Sequence, residues 1–180
     1  MCIRDRLFVK VMETRRTVLG AEHPSTLTSM ANLASTYQNQ GRWKEAEELE
    51  VKVMETSRTV LGAEHPDMLA SMANLASTYL NQGRWKEAEE LFVKVMETSR
   101  TVLGAEHPST LTSMNNLAVT YSKQRRWAEA EALQRVVVSV CKDKFGLHHP
   151  NTSSAISTLE HIQRTGRQPT LSRDLTELPT

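Results

Sequence analysis

The sequence repeats itself with a period of 42 residues. The string GAEHP, weakened to GLHHP in its last occurrence, returns once per period at residues 20–24, 62–66, 104–108 and 146–150. The copies 20–61 and 62–103 differ at five positions, so 42 − 5 = 37 of their residues are identical. A fixed period of this length is typical of stacked repeat proteins, whose units are stable only against their neighbours. We therefore expect function on a surface that several units build together.

Each period is predicted to form two helices, A and B. In the first full unit, apolar residues follow one face of a helix A over residues 25–40 and of a helix B over 43–60, whose charged residues are expected on a solvated convex face. Helix A is predicted to end at Gly41 or Gly83 in a left-handed conformation, which Arg125 must adopt in the third unit. N-cap residues are predicted at Ser25, Asp67, Ser109 and Asn151.

The repeat register also predicts the domain organisation. We expect an array over residues 7–164, made of a half repeat 7–19, full repeats 20–61, 62–103 and 104–145, and a terminal helix within 146–164. The polar segment 165–180 is predicted to be disordered. Residues 1–6, MCIRDR, break the register in the middle of a helix and match what a common transposon sequencing adaptor encodes. We expect them to be a non-native adaptor scar, with more of the protein upstream.

The residue order within one unit resembles a known repeat family. Leu33-Ala34-x-x-Tyr37, followed by Gly41, Trp43 and Ala46, is similar to the tetratricopeptide repeat, and the 42-residue unit with its LGxEHP turn resembles the kinesin light chain subtype. The near-identical copies resemble the arrays of fungal receptors with an NB-ARC or NACHT nucleotide-binding module. The resemblance covers 7–164 and implies an all-α, right-handed superhelix of antiparallel helix pairs, whose A helices line a concave groove.

The groove implied by this resemblance is lined by one stripe of each helix A, turned away from the apolar face. Two of the five differences between the first copies fall on this stripe, at 28/70 and 38/80, which indicates either selection for altered specificity or drift at exposed sites. The predicted peptide-binding residues are Thr28, Asn32, Ser35, Gln38, Asn39, Ala70, Asn74, Ser77, Leu80, Asn81, Thr112, Asn115, Asn116, Val119, Ser122 and Lys123.

The predicted groove is nearly uncharged, so its polar side chains would contact a ligand through hydrogen bonds. Asn32, Asn74 and Asn116 either form a ladder that bonds the backbone of an extended peptide or are satisfied between neighbouring helices. If the stripe faces a ligand, replacing Thr28 by alanine and Gln38 by leucine should change ligand choice and leave thermal stability nearly intact. The predicted partner is a protein or an extended peptide.

Composition and the remaining motifs exclude several other functions. A net charge of +1 gives no bias toward nucleic acid, and no apolar run approaches the roughly 20 residues that cross a membrane. With two cysteines that imply no disulfide framework, we expect a cytoplasmic protein. Periodic histidines about one helix spacing apart cannot share a zinc ion and are predicted as turn residues. We expect no metal, no cofactor and no enzymatic activity.

The sequence thus predicts a protein- or peptide-binding module. The leading interpretation is the ligand-sensing fragment of a fungal nucleotide-binding receptor-like protein, in which an upstream nucleotide-binding domain would be a partner. The alternative is a kinesin light chain-like cargo or scaffold adaptor, although such adaptors typically have more diverged repeats. A third interpretation, a regulatory subunit of an enzyme, requires a catalytic domain elsewhere in the full-length protein.

Overall fold

The computed structural model describes residues 3–167, with side chains from Arg6 onward, and this part of the chain is entirely helical apart from short turns. Each helix packs against the next along the chain, and α4 with α6 and α6 with α8 also touch directly. The expected all-α solenoid of helix pairs is therefore confirmed. The helices are α1 (Ile3–Leu19), α2 (Pro24–Asn39), α3 (Trp43–Leu61), α4 (Pro66–Asn81), α5 (Trp85–Leu103), α6 (Pro108–Lys123), α7 (Trp127–Phe145) and α8 (Pro150–Gly166).

The four A-type helices, α2, α4, α6 and α8, begin with the same cap. A proline occupies the first helical turn, where its missing N–H costs nothing, and the residue before it is the N-cap. The imidazole Nδ1 of His23 accepts a hydrogen bond from the backbone N–H of Ser25 at 3.1 Å, and the later histidines do the same. The predicted N-caps were therefore wrong by two positions, whereas the prediction that the histidines are turn residues is confirmed.

The end of each full A helix requires a left-handed residue, as predicted. Gly41 and Gly83 have φ of 73° and 79°, and Arg125 holds the same place with φ of 63°. Glycine adopts this conformation readily, whereas a side chain with a Cβ is strained in it.

Replacing Arg125 by glycine should raise the free energy of unfolding by about 1 kcal/mol, because the backbone strain is removed and no buried contact is lost. Thermal unfolding followed by circular dichroism measures the change, with Gly83→Arg as the matched opposite substitution. A lower stability for Arg125→Gly would show that the arginine side chain contributes more than its backbone costs.

The core lies between the A and B helices. Leu33, Leu75 and Leu117 occupy one repeat position and are almost fully buried, and Ala34 and Ala46 have no exposed surface. Small residues at facing positions let the two helices approach closely, as the apolar spacing predicted.

The ends of the array differ slightly from the predicted boundaries. Helix α1 begins at Ile3, so residues 3–6 are helical although the repeat register excluded them; their origin as an adaptor scar stays a prediction. Helix α8 continues to Gly166, which corrects the predicted start of the disordered tail at residue 165. The rest of that tail, from residue 168, lies outside the described residues. Over the described part of the chain, no helix has the length and hydropathy that crossing a bilayer requires.

Candidate peptide-binding groove

The predicted groove residues all reach the surface of the described part of the chain. Each of the sixteen side chains is exposed or half-buried, and none is buried. Half of them line four openings between successive A-type helices: Thr28, Ala70, Asn74, Ser77, Thr112, Asn115, Asn116 and Val119. The structure therefore brings part of the predicted set together on one continuous face.

Three of these openings are equivalent cavities, one per repeat. The first lies between α2, α3 and α4, the second between α4, α5 and α6, and the third between α6, α7 and α8, with volumes of about 180, 350 and 230 Å³. Neighbouring cavities share walls: Asn74 lines the first and the second, and Thr112 lines the second and the third. The groove is thus a row of connected depressions with the repeat's own spacing.

The floor of each cavity comes from helix B, for which the sequence predicts only core and convex-surface positions. In the first cavity Val53, Ser57 and Leu61 lie one helical turn apart along α3. The sequence signal for such a floor is a small residue between two larger apolar residues, because the small side chain leaves a gap in the apolar stripe of the helix. The equivalent small residues are Ser99 in the second cavity and Cys141 in the third.

The side-chain amides of Asn32, Asn74 and Asn116 are free to bind a ligand. Among residues 6–167 none of these three amides makes a hydrogen bond to the protein, so they are not satisfied between neighbouring helices. Asn32 is exposed and the other two are half-buried. Asn115, one position earlier on α6, differs because its Oδ1 accepts a hydrogen bond from Gln134 Nε2 at 2.9 Å. The ladder of three asparagines stays a prediction.

The groove continues onto α8, which the predicted set omitted. An opening of about 1010 Å³ is lined there by Ser154, Thr158, His161 and Arg164, which occupy the repeat positions of Thr28, Asn32, Ser35 and Gln38. The 42-residue register was sufficient to find them. At this end the groove gains charged side chains, Arg164 and Arg167 together with Glu160, in contrast to its uncharged middle.

Gln38 and Leu80, both predicted to face a ligand, instead contact helix B. The Gln38 amide Nε2 donates to Glu50 Oε1 at 2.7 Å and to Thr78 Oγ1 at 2.5 Å. Leu80 packs in a cluster with the fully buried Phe92. Positions 38/80 and 50/92 are therefore one coupled difference, in which a polar pair in the first repeat is replaced by an apolar pair in the second.

Glu50 is a buried carboxyl at the junction of the first two repeats, with 2% of its surface exposed. Thr78 Oγ1 donates a hydrogen bond to Glu50 Oε2 at 2.6 Å. Burial raises the pKa of Glu50 to about 7, because the hydrogen bonds from Thr78 and Gln38 offset only part of the lost hydration and Glu47 on the same helix adds repulsion.

The differences between the first two copies also reach the core. Thr26 and Met68 are both buried, as are Glu50 and Phe92, so two of the five differences lie in the core. The contact between Gln38 and Glu50 also argues against the expectation that Gln38→Leu leaves stability nearly intact, because leucine would leave the buried carboxyl without its amide donor.

The charged residues of helix B are not only a solvated surface. Arg84 donates to Glu87 in its own repeat and, through Nη1, to Glu47 of the preceding repeat at 2.7 Å, while its guanidinium stacks over Tyr79. Arg126 repeats this arrangement with Glu129, Glu89 and Tyr121. These bridges tie successive repeats together and hold the groove-lining helices in register.

Two models of the tetratricopeptide repeat match the sequence, at residues 26–67 and 67–143, so together they cover 26–143. Two crystal structures of a protein from Podosopora anserina classed with the kinesin light chains, with nearly identical TPR-like repeats, are 33% identical to this chain. Each alignment covers 91% of this chain and 78% of the P. anserina chain. The TM-score is 0.77 for a variant with a single substitution and 0.75 for the other structure. The chain belongs to the tetratricopeptide repeat family. Its repeats are of the kinesin light chain-like type.

The fold is also similar to that of a more distant protein. BtubC (BKLC) from P. vanneervenii is 17% identical and covers 98% of this chain and 79% of that one, with a TM-score of 0.71, which shows the fold alone. No curated protein sequence matches this chain. Tetratricopeptide repeats are in general protein-interaction modules, and their fold is typically a non-enzymatic scaffold.

Proposed function

We propose that this tetratricopeptide array binds an extended peptide along the face formed by α2, α4 and α6. The observation that carries the proposal is the row of free asparagine amides, Asn32, Asn74 and Asn116, at one position of successive repeats. Two of them also line the cavities. An extended backbone carries unpaired carbonyls and amides along its length, so one asparagine per repeat can bond it repeatedly.

The affinity of such a site depends on several repeats acting together. One hydrogen bond contributes about 0.5–1.5 kcal/mol net, so three asparagines supply about 3 kcal/mol. This corresponds to roughly a hundredfold in dissociation constant.

The test uses a random 12-residue peptide library displayed on phage and selected on the intact chain, followed by calorimetry with synthetic copies of the enriched peptides. Replacing Asn32, Asn74 and Asn116 by alanine should weaken binding about a hundredfold and leave thermal unfolding nearly unchanged, because no side-chain hydrogen bond among the described residues is lost. The matched control replaces Glu13, Glu55 and Glu97, exposed at one repeat position of the B-type helices, by alanine. Enriched peptides that bind the asparagine variant as tightly as the native chain would contradict the proposal.

We propose two alternative cellular roles for this peptide-binding array. The near identity of the copies favours the ligand-sensing part of a fungal nucleotide-binding receptor-like protein in the cytoplasm, where an upstream nucleotide-binding domain would be the partner that responds. The likeness to a protein classed with the kinesin light chains favours a cargo or scaffold adaptor. Sequencing the full-length transcript separates the two, since a nucleotide-binding motif upstream supports the receptor and a heptad repeat supports the adaptor.

A further inference from the structure

The third groove cavity differs from the other two at one position of its wall. Ala31 lines the first cavity and Ala73 the second, whereas Asn115 occupies the equivalent place in the third. All three side chains are half-buried. The repeat thus places a methyl group at this wall twice and a carboxamide once, and only the carboxamide can form a hydrogen bond.

The residue that contacts Asn115 is also particular to the third repeat. Gln134 is fully buried on α7, at the position that Glu50 and Phe92 occupy in the first two repeats. Its Nε2 donates to Asn115 Oδ1 at 2.9 Å and to the backbone carbonyl of Ala155 at 3.0 Å. The two substitutions that distinguish the third repeat at these positions therefore form one hydrogen-bonded pair.

The carbonyl of Ala155 fixes the direction in which the Asn115 amide points. A backbone carbonyl oxygen can only accept a hydrogen bond, so the atom of Gln134 beside it must be the nitrogen, Nε2. Because the same nitrogen also contacts Asn115, that side chain must present its own oxygen to it. Asn115 Nδ2 is then turned away from Gln134, and it has no hydrogen-bond partner among the described residues. It is the polar atom that this side chain offers to the cavity.

Gln134 keeps this orientation at a cost in free energy. Its Oε1 is buried and, within the part of the chain that the structure describes, has no hydrogen-bond partner. A buried oxygen left unpaired is destabilising, and an apolar residue would avoid the loss, as Phe92 does in the second repeat. Fixing the Asn115 amide is a role that an apolar residue could not fill.

The remaining lining of the third cavity suits an uncharged polar side chain. Its base is apolar, with Leu111 and Val137, and none of the described residues that line it carries a charge. A carboxylate or an ammonium group would lose hydration there without gaining a counterion. A carboxamide has an oxygen that accepts from Asn115 Nδ2, and an NH₂ group that can donate to the hydroxyl oxygens of Thr112 and Ser154 in the same lining.

We propose that the third cavity binds the side-chain carboxamide of a glutamine or asparagine in the peptide ligand, with Asn115 as the donor to its oxygen and Gln134 as the residue that positions this donor. The inference rests on the peptide-binding function proposed above and adds a side-chain preference at one cavity.

The experiment repeats the phage selection on Asn115→Ala, which gives the third cavity the wall residue of the other two. Peptides enriched on the native chain should carry glutamine or asparagine at one fixed position, and this preference should disappear on the variant. Synthetic copies with methionine or glutamate at that position should bind the native chain about tenfold more weakly in calorimetry than the glutamine peptide. Equal binding of the glutamine and methionine peptides, or a carboxamide preference that persists in Asn115→Ala, overturns the inference.

Gln134→Met tests the positioning role, because methionine has a similar length and no hydrogen-bond donor. The released Asn115 amide can turn either its oxygen or its nitrogen to the cavity, so the preference for the glutamine over the methionine peptide should fall from about tenfold to about threefold or less. A purely structural loss would weaken both peptides equally and leave their ratio unchanged. Ser139→Ala, exposed on α7, is the control and should keep the native ratio.

The double variant Gln134→Met with Asn115→Ala should show the ratio of Asn115→Ala alone, because the positioning residue acts only through the asparagine. A native ratio in Gln134→Met, or a further change in the double variant, contradicts the positioning role. Asn115→Ala tests the donor even if Gln134→Met does not fold.

The same selection separates failure of this inference from failure of the proposed function. Enriched peptides that depend on Asn32, Asn74 and Asn116 but show no carboxamide preference overturn the inference and leave peptide binding intact. If no enriched peptide depends on these three asparagines, both fail.

Discussion

Replacing Gln38 by leucine should lower the free energy of unfolding by about 2 kcal/mol at pH 8. At that pH the buried Glu50 carboxylate loses the amide that donates to its Oε1, and a buried group left unsatisfied costs about 1–3 kcal/mol. Adding Glu50→Phe to the same chain should more than restore stability, to about 2 kcal/mol above the native protein, because an apolar pair then replaces a buried acid. Urea unfolding followed by circular dichroism measures each variant.

The chain itself supplies the matched control for this pair. Every other residue of the apolar cluster around Phe92 has an identical counterpart 42 positions earlier, except that Gln38 stands where the second repeat has Leu80. The phenylalanine therefore enters surroundings that already accommodate it once. Conversely, Phe92→Glu with Leu80 retained should be more destabilising than Phe92→Glu combined with Leu80→Gln. A loss below about 0.5 kcal/mol for Gln38→Leu would indicate that this side chain faces the groove, as the sequence alone predicted.

The stability of the first repeat junction should fall as pH rises from about 4.5 to 7. Glu50 has a pKa of about 7 in the folded chain against an ordinary value of 4.5, so the folded state holds this proton more tightly than the unfolded state. Its contribution is complete below the unfolded value and is lost as pH rises through the folded value. A shift of this size corresponds to about 3 kcal/mol.

The groups that face Glu50 explain why stability falls, and does not rise, as pH increases through the pKa of this carboxyl. Gln38 from α2 and Thr78 from α4 contact the carboxyl, and Glu47 on α3 is the charged group that acts on it. Exposed carboxyls paired with arginine behave in the opposite way: hydrogen bonds from Arg84 and Arg126 lower the pKa of Glu87 and of Glu129. Their contribution is present above the unfolded pKa and is lost only as pH falls further.

Unfolding by urea between pH 5 and pH 8 measures this dependence, and Glu50→Gln is the control. The neutral amide keeps the shape of the protonated acid and removes its titration, and Gln134 already occupies this position in the third repeat. The four histidine N-caps are present in both proteins and cancel in the comparison. Equal slopes for the native chain and Glu50→Gln would show that the carboxyl is not the titrating group.

Much of the fold follows from local patterns that repeat. Apolar spacing, a glycine after each of the first two A helices and a proline at the start of every A helix are short-range features, so the boundaries of α2 and α3 lie within one residue of those predicted. The N-cap was misplaced because side-chain capping and proline's preference for the first turn compete for adjacent positions, and the proline determines where the helix begins.

The candidate site was predicted only in part, for a physical reason. A helical wheel gives the direction of a side chain relative to its own axis, but not which neighbouring helix stands in that direction. Within the part of the chain that the structure describes, the side-chain amides of Asn32, Asn74 and Asn116 make no hydrogen bond, whereas the amide of Gln38 donates to Glu50 and Thr78. Pairwise comparison of the copies revealed the substitutions at 38/80 and 50/92, but only their contact showed that they compensate each other.

The sequence by itself determined the repeat period, the helix pairs and the family, because the residues that specify them recur at the same positions in each 42-residue copy. The tertiary structure decided what lies between the copies: the shared cavities, the free asparagine amides and the buried carboxyl at one junction. These features depend on three helices from two successive repeats, α2, α3 and α4 at the first junction, and on how closely those helices pack. The packing distance between helices of successive repeats cannot be read from the sequence of a single repeat.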